Sequence, residues 1–557
     1  MNLFSATWIL MIIGGQAGDV TYQTPFGAVV GSQFLTSSGV SIDAFKGIPY
    51  AEPIDSRQRL KKSSLVKPWE MPLDAKTYQK ACIPGAAPAN ASEFSEDCLY
   101  VNIFTPTHRK TGKLPVMVFI HGGGFKEGSG VDEAWNPFAD RFTSKEIVVV
   151  LIQYRLGALG FLSLGCDSGL FPCNLGIWDQ ALALRFVNAT IDSFGGDPSD
   201  VTLMGHSAGS MSTSILSLSP VTRGFIKRCI QLSGSSWIMP QYKKTNFQST
   251  KMILTNLECQ QNSSAELINC FQGKSLDDIY RAQVGATLFP EVGDELFPKP
   301  TSELINDVES QPPVLMGVMS LEALYFTYLK SSNEIFPYIL RPTVEEYINA
   351  SLAEKYGEDS PDAFNRISDY YLPVNATDAD DYPYFMRQRT RINSNTLFDV
   401  AIVREIIARS EKSDVFAYHF QYFNDAEFEK DFPVKDTYHC SEFPYIWKVF
   451  KDRKFNFTQD DDVVAAFFTT SLVNFIKTGN PSTDAFIWPR SDSCVTHVKV
   501  LPNPVIDKEL FNDDFNFWES MREQFRYDLI TGLYYTASTA SSSQIILTIC
   551  IILSTLL

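Results

Sequence analysis

Ser207 stands at the centre of Gly205-His206-Ser207-Ala208-Gly209, directly after the β-prone run Val201-Thr202-Leu203-Met204. A strand that ends in Gly-x-Ser-x-Gly has to turn sharply into a helix. The serine is then held in a strained conformation, and glycines two residues to either side keep side chains out of the turn. The geometry lifts the hydroxyl clear of the backbone and sets it over the N-terminal end of the following helix, where the dipole favours negative charge. The pentapeptide alone is weak evidence, because short glycine-serine turns arise often by chance. Its meaning depends on whether the chain holds the other parts that a serine nucleophile needs.

An oxyanion hole is the first such part. Leu114-Pro115-Val116-Met117-Val118-Phe119-Ile120 is an apolar run too short for a helix and suited to a buried strand. His121-Gly122-Gly123-Gly124-Phe125 follows at once. Consecutive glycines leave backbone N–H groups bare, so those of Gly123 and Gly124 are the expected donors to an anionic oxygen, with Ala208 after the serine as the third. The bland alternative is a flexible glycine turn.

With these residues in place the chain resembles the type-B carboxylesterases, the family that includes the cholinesterases. The resemblance runs from about Val20 to about Tyr527 and rests on blocks in the family's order. They are Phe45-Lys46-Gly47-Ile48-Pro49-Tyr50-Ala51-Glu52-Pro53, Ser95-Glu96-Asp97-Cys98-Leu99, Tyr154-Arg155-Leu156-Gly157, Trp178-Asp179-Gln180, Phe194-Gly195-Gly196-Asp197-Pro198 and Gln231-Leu232-Ser233-Gly234-Ser235. It implies an α/β-hydrolase fold: a large, mostly parallel central sheet flanked by helices, with helical insertions over the active site. A single such domain is expected over residues 19–535. Arg155 with Asp179, and Arg59 with Glu96, resemble the family's structural ion pairs and are given no catalytic role.

A serine hydroxyl needs a base at neutral pH. The chain has six histidines. His121 belongs to the glycine loop, His206 cannot easily reach back to its neighbour's hydroxyl, and His108 lies far from the expected site. His419 and His497 fall in strand-like runs. That leaves His439, in Tyr438-His439-Cys440-Ser441-Glu442, where the family carries His-Gly-x-Glu with the triad histidine first. The acid that orients it is expected between serine and histidine. Glu322 follows the strand-like Val314-Leu315-Met316-Gly317-Val318, where the family places its glutamate. Flanked by Leu321, Ala323 and Leu324, it would be costly to bury without a partner.

Departures narrow the substrate. Glycine is usual where Cys440, Ala323 and Ser210 stand, and cholinesterases carry an acid where His206 stands. The loop from Cys82 to Cys98 holds no tryptophan, the ring over which cholinesterases bind quaternary ammonium. The expectation is therefore a serine carboxylic-ester hydrolase for small, neutral, rather hydrophobic esters, working through an acyl-enzyme. The alternatives are a cholinesterase-like enzyme and, from a different class, a catalytically silent neuroligin-like adhesion protein. Silent members typically lose a triad residue, and this chain keeps all three.

The composition fits an enzyme of this size. The chain has 557 residues, 45% of them apolar, and a net charge of −17 that argues against nucleic acid as a partner. No Cys/His run has zinc-like spacing and no phosphate loop stands out, so no metal or cofactor is expected. Residues 1–18 read as a secretory signal peptide. Residues 536–557, small residues and then an apolar tail, read as a possible GPI signal and membrane attachment. Sequons at Asn90, Asn262, Asn349, Asn375 and Asn456 are expected glycosylation sites, whereas Asn188 is doubtful inside a packed helix. The location expected is secreted or cell-surface. The family's spacing pairs Cys82 with Cys98 and Cys259 with Cys270, in short loops placed near the surface. Cys166 and Cys173 are close enough for a further bridge, and Cys229 is expected as a buried thiol.

Overall fold

The computed structural model describes residues 18–534 apart from 37–38, 87–89, 110–111, 132–134, 261–262, 330–338, 374–380, 449 and 451–453. The segments 1–17 and 535–557, which carry the expected signal peptide and tail, lie outside the described residues, as do Asn262 and Asn375.

Among the described residues the centre is one sheet of thirteen strands. Twelve follow one path: β1 (Asp19–Thr24), β2 (Gly27–Leu35), β3 (Ser41–Pro49), β4 (Tyr100–Pro106), β5 (Leu114–Ile120), β6 (Val148–Ile152), β7 (Gly196–His206), β8 (Arg228–Leu232), β9 (Val314–Met319), β10 (Val415–Phe420), β11 (His497–Val500) and β12 (Val505–Asp507). Their spatial order is β1-β2-β3-β4-β6-β5-β7-β8-β9-β10-β11-β12. Everything from β6 through β11 is parallel, with antiparallel strands at both edges. The expected large, mostly parallel sheet is therefore the one observed.

The parallel strands β5, β6 and β9 read as unbroken apolar runs because both faces are covered. Val116, Val118, Val148, Val150 and Leu203 point into one core, where they meet α1 (Leu175–Thr190), α2 (Ala208–Leu218) and α3 (Val400–Ser410) through Leu184, Ile215 and Ile402. Met117, Phe119, Val149, Leu151 and Met204 point into the other, against Phe468, Leu472 and Phe475 of α4 (Gln459–Thr478). The two-residue period of the strand is what separates these sets.

Chain order reverses around β5, which has β6 on one side and β7 on the other. A crevice opens at the carboxyl ends of parallel strands where the order reverses, and ligands bind there in open α/β sheets. Gly205 at the end of β7 is level with Ile120 at the end of β5. The glycine loop and Ser207 therefore leave the sheet side by side.

Bridges join Cys82–Cys98, Cys259–Cys270 and Cys166–Cys173, and Cys229 is a buried thiol. The expected surface placement fails for the first pair, since Cys82 and Cys98 are each 1% exposed and packed in the core, and for Cys259 of the second, which is 0% exposed in the same core. Asn188 also departs from expectation. It is exposed near the end of α1, because the buried face of that helix runs through Ala183, Leu184 and Val187. Asn90, Asn349 and Asn456 are exposed as well.

Candidate active site

Ser207 caps α2 with φ 58° and ψ −123°, a conformation that L residues rarely occupy. The turn is held from both sides. Ser207 N–H donates to the Leu232 carbonyl at 2.8 Å, and Met211 N–H donates to the Ser207 carbonyl at 2.9 Å. A Cβ at Gly205 would sit 2.1 Å from the Gly209 carbonyl oxygen, and one at Gly209 would sit 2.0 Å from the Ile120 carbonyl oxygen, which is why both positions are glycine. Ser210, where glycine is usual, donates its hydroxyl to the Gly234 carbonyl at 2.6 Å and so fixes the first turn of α2 to the loop after β8.

The glycine loop packs directly on Ser207. A Cβ at Gly122 would lie 2.7 Å from the His206 carbonyl oxygen and 2.9 Å from the Ser207 Cβ. Gly123 and Gly124 follow at φ 113° and 61°. His121 anchors the loop, as its ring stacks on Tyr154 at 4.4 Å and its carbonyl accepts from the Tyr154 hydroxyl at 2.9 Å. Next to Gly124 is a cavity of about 160 Å³ lined by Lys126, Gln283, Ala286, Thr287, Leu288 and Phe289 among others. Five of these six come from the insertion between β8 and β9.

Glu322 and His439 leave the ends of neighbouring strands, β9 directly and β10 after a longer excursion. Thr437 ties the two loops together. Its hydroxyl donates to the Phe420 carbonyl at 2.8 Å and accepts from Ser320 N–H at 2.8 Å, while its carbonyl accepts from Leu321 N–H at 3.0 Å. His439 Nδ1 lies 2.6 Å from Glu322 Oε2, and the other oxygen, Oε1, accepts from Met319 N–H at 2.9 Å. With Nδ1–H given to the carboxylate, Nε2 carries the lone pair, and it makes no hydrogen bond among the described residues. Both side chains are buried.

Four further side chains stand close to this pair. Phe326 and Phe398 each bring a ring centroid to 5.0 Å from the His439 ring. Asp399 and Glu442 are buried carboxyls that desolvation pushes well above the usual carboxylate range, with the nearby Glu322 adding repulsion. Burial thus disfavours further negative charge beside Glu322. Glu442 was readable as part of the block around His439; that its Oε1 lies 3.6 Å from His206 Nε2 was not. The rings of His206 and His439 are 4.6 Å apart.

The remaining histidines are elsewhere. His108 is exposed, His419 is buried in β10 between Ser320 and Gln421, and His497 is buried in β11. The Arg155–Asp179 and Arg59–Glu96 pairs form as expected, at 2.7 Å for the first, and both lie in the fold's interior.

A profile of the carboxylesterase family matches residues 18–518. Gut esterase 1 of Caenorhabditis briggsae is 31% identical over 96% of this chain and 98% of its own length. Para-nitrobenzyl esterase of Bacillus subtilis (strain 168) is 28% identical over 87% of this chain and 94% of its own. The solved structure of a PNB esterase superposes with a TM-score of 0.72 at 26% identity, covering 89% of this chain and 99% of that one. The elbow, glycine loop and buried His–Glu pair thus sit on a fold shared with ester hydrolases along nearly its full length: the chain belongs to the carboxylesterase family and is a carboxylic-ester hydrolase.

Proposed function

We propose that Ser207, His439 and Glu322 are the catalytic triad of this hydrolase and that its substrates are small, neutral, rather hydrophobic carboxylic esters. The observation that carries the reading is the 2.6 Å contact of His439 Nδ1 with Glu322 Oε2, made at the strand ends beside the elbow. Ser207 Oγ attacks the ester carbonyl while His439 Nε2 takes its proton, and Glu322 holds the tautomer and steadies the imidazolium. The N–H groups of Gly123, Gly124 and Ala208 receive the oxyanion. His439 then protonates the leaving alcohol, and water repeats the cycle on the acyl-enzyme. The cavity beside Gly124, with Ala286, Leu288 and Phe289 in its wall, and the rings of Phe326 and Phe398 against His439 support apolar substrate groups.

Fluorophosphonate labelling followed by peptide mapping tests the assignment: the modified serine is Ser207, and Ser207→Ala abolishes both labelling and p-nitrophenyl ester turnover with the fold intact. Hydrolysis undiminished in that variant would sink it. The same reading makes the protein an exported glycoprotein, supported by three disulfides and by exposed sequons at Asn90, Asn349 and Asn456. Attachment through residues 536–557 is tested by release from intact cells with a phosphatidylinositol-specific phospholipase.

A further inference from the structure

Two positions at which this chain departs from its family meet in space. Cys440 replaces the usual glycine after the triad histidine, and His206 replaces the acid before the nucleophile in cholinesterases. One potential ligand atom from each of His206, His439 and Cys440 can be chosen so that all three lie within 4.8 Å of one another, and all three residues are buried. We propose that these side chains form a binding site for a borderline-soft divalent cation such as Zn²⁺, and that an ion bound there reversibly switches the esterase off.

The donor set suits such an ion. Two imidazoles and a thiolate are the ligands zinc takes most readily, with solvent as the fourth ligand of a tetrahedron. At zinc–ligand bond lengths of about 2.0–2.3 Å, tetrahedral ligands stand roughly 3.5 Å apart, so closing the set takes a contraction of about 1 Å. One of the two imidazoles is already prepared. A metal-binding histidine usually gives its second ring N–H to a carboxylate, which orients the ring and raises its basicity. His439 has that arrangement through Glu322, and its Nε2 is buried without a hydrogen bond among the described residues. Glu442 Oε1 stands 3.6 Å from His206 Nε2, longer than a hydrogen bond.

Cys440 stands outside any disulfide, and its backbone φ is 81°, the left-handed region that favours glycine. The chain therefore holds a thiol beside the base at a position where glycine would relieve strain. On binding, the Cys440 S–H gives its proton to solvent and the thiolate coordinates the ion. His439 Nε2 is then occupied by metal and cannot take the proton of Ser207. Cys440 keeps 6% of its surface exposed, and Ser207, next to His206, keeps 8%.

The inhibition rests on the role proposed for His439; the binding does not. Two measurements on the purified full chain separate them. Cd²⁺ titration reads the ultraviolet cadmium–thiolate band, and buffered free Zn²⁺ reads hydrolysis of a p-nitrophenyl ester, each variant against its own metal-free rate. The band is expected in the wild type and absent in Cys440→Gly, since the only other described thiol, Cys229, is buried and pushed up to about 12 by desolvation. The zinc inhibition constant is expected to rise at least tenfold in both Cys440→Gly and His206→Gln, with chelator restoring the wild-type rate. A band that survives in Cys440→Gly, no band in the wild type, or equal inhibition of all three proteins overturns the site. A Cys440-dependent band without inhibition keeps the site and overturns His439 as the base.

Discussion

His439 Nδ1 sits 2.6 Å from Glu322 Oε2 across 117 residues of sequence, and the His439 N–H also donates to the Glu322 carbonyl at 3.2 Å. The pair is held by backbone as well as by side chains, so its geometry is set before substrate arrives. Glu322→Gln keeps the size of the side chain but removes the charge and permits the wrong imidazole tautomer. The expected result is a fall in kcat of about 10³- to 10⁴-fold with KM little changed, read from steady-state ester hydrolysis. A loss under tenfold would mean that Glu322 does not orient the base.

Gly122 tests the contact between the oxyanion loop and the elbow. An alanine there meets the His206 carbonyl oxygen at 2.7 Å and the Ser207 Cβ at 2.9 Å, so the loop must move away from Ser207. Gly122→Ala is expected to lower kcat/KM by about 10²-fold, since displacements near 1 Å are that costly to aligned groups. Near-UV circular dichroism should remain native; wild-type kcat/KM would show that the loop is not set by this contact.

Stability and pH meet at Glu427. Burial raises its carboxyl from 4.5 to about 7, against the opposing hydrogen bonds from Asn424 N–H and the Tyr445 hydroxyl, with Asp461 nearby. Because the folded value lies above the ordinary one, its stabilising contribution is complete below about 4.5 and is lost as pH rises through about 7. Glu427→Gln should therefore flatten the fall in Tm over that interval relative to the wild type, measured by calorimetry. Parallel curves for the two proteins would contradict the raised value.

Acetylthiocholine probes the substrate. His206 supplies no fixed negative charge beside Ser207, and residues 83–97 contain no tryptophan to face a quaternary ammonium. The kcat/KM for acetylthiocholine should not exceed that for a neutral thioester of the same size. A tenfold or greater preference for the choline ester would reverse the specificity proposed for the site.

Much of the site was legible because its parts are local. The turn at Ser207, the glycines after β5 and the apolar runs of the parallel strands are each specified by a few consecutive residues, through steric limits on the backbone and the two-residue period of a buried strand. His439 and Glu322 needed more. Elimination among six histidines and the acid's apolar flanks pointed to them, and the family resemblance supplied the order.

Other features depend on which strand ends lie side by side. Nothing within ten residues of His206 says that its ring will stand 4.6 Å from that of His439, or that Glu442 and Cys440 will close around it. Asn188 looked buried because its helix is apolar, yet helical periodicity alone does not say which face meets the sheet. Local sequence specifies turns and periods because those are contests within one or two residues' reach. The side-by-side parallel order β7-β8-β9-β10 brings the ends of β7, β9 and β10 to one edge of the sheet, and only that placement brings His206, His439 and Cys440 into one cluster.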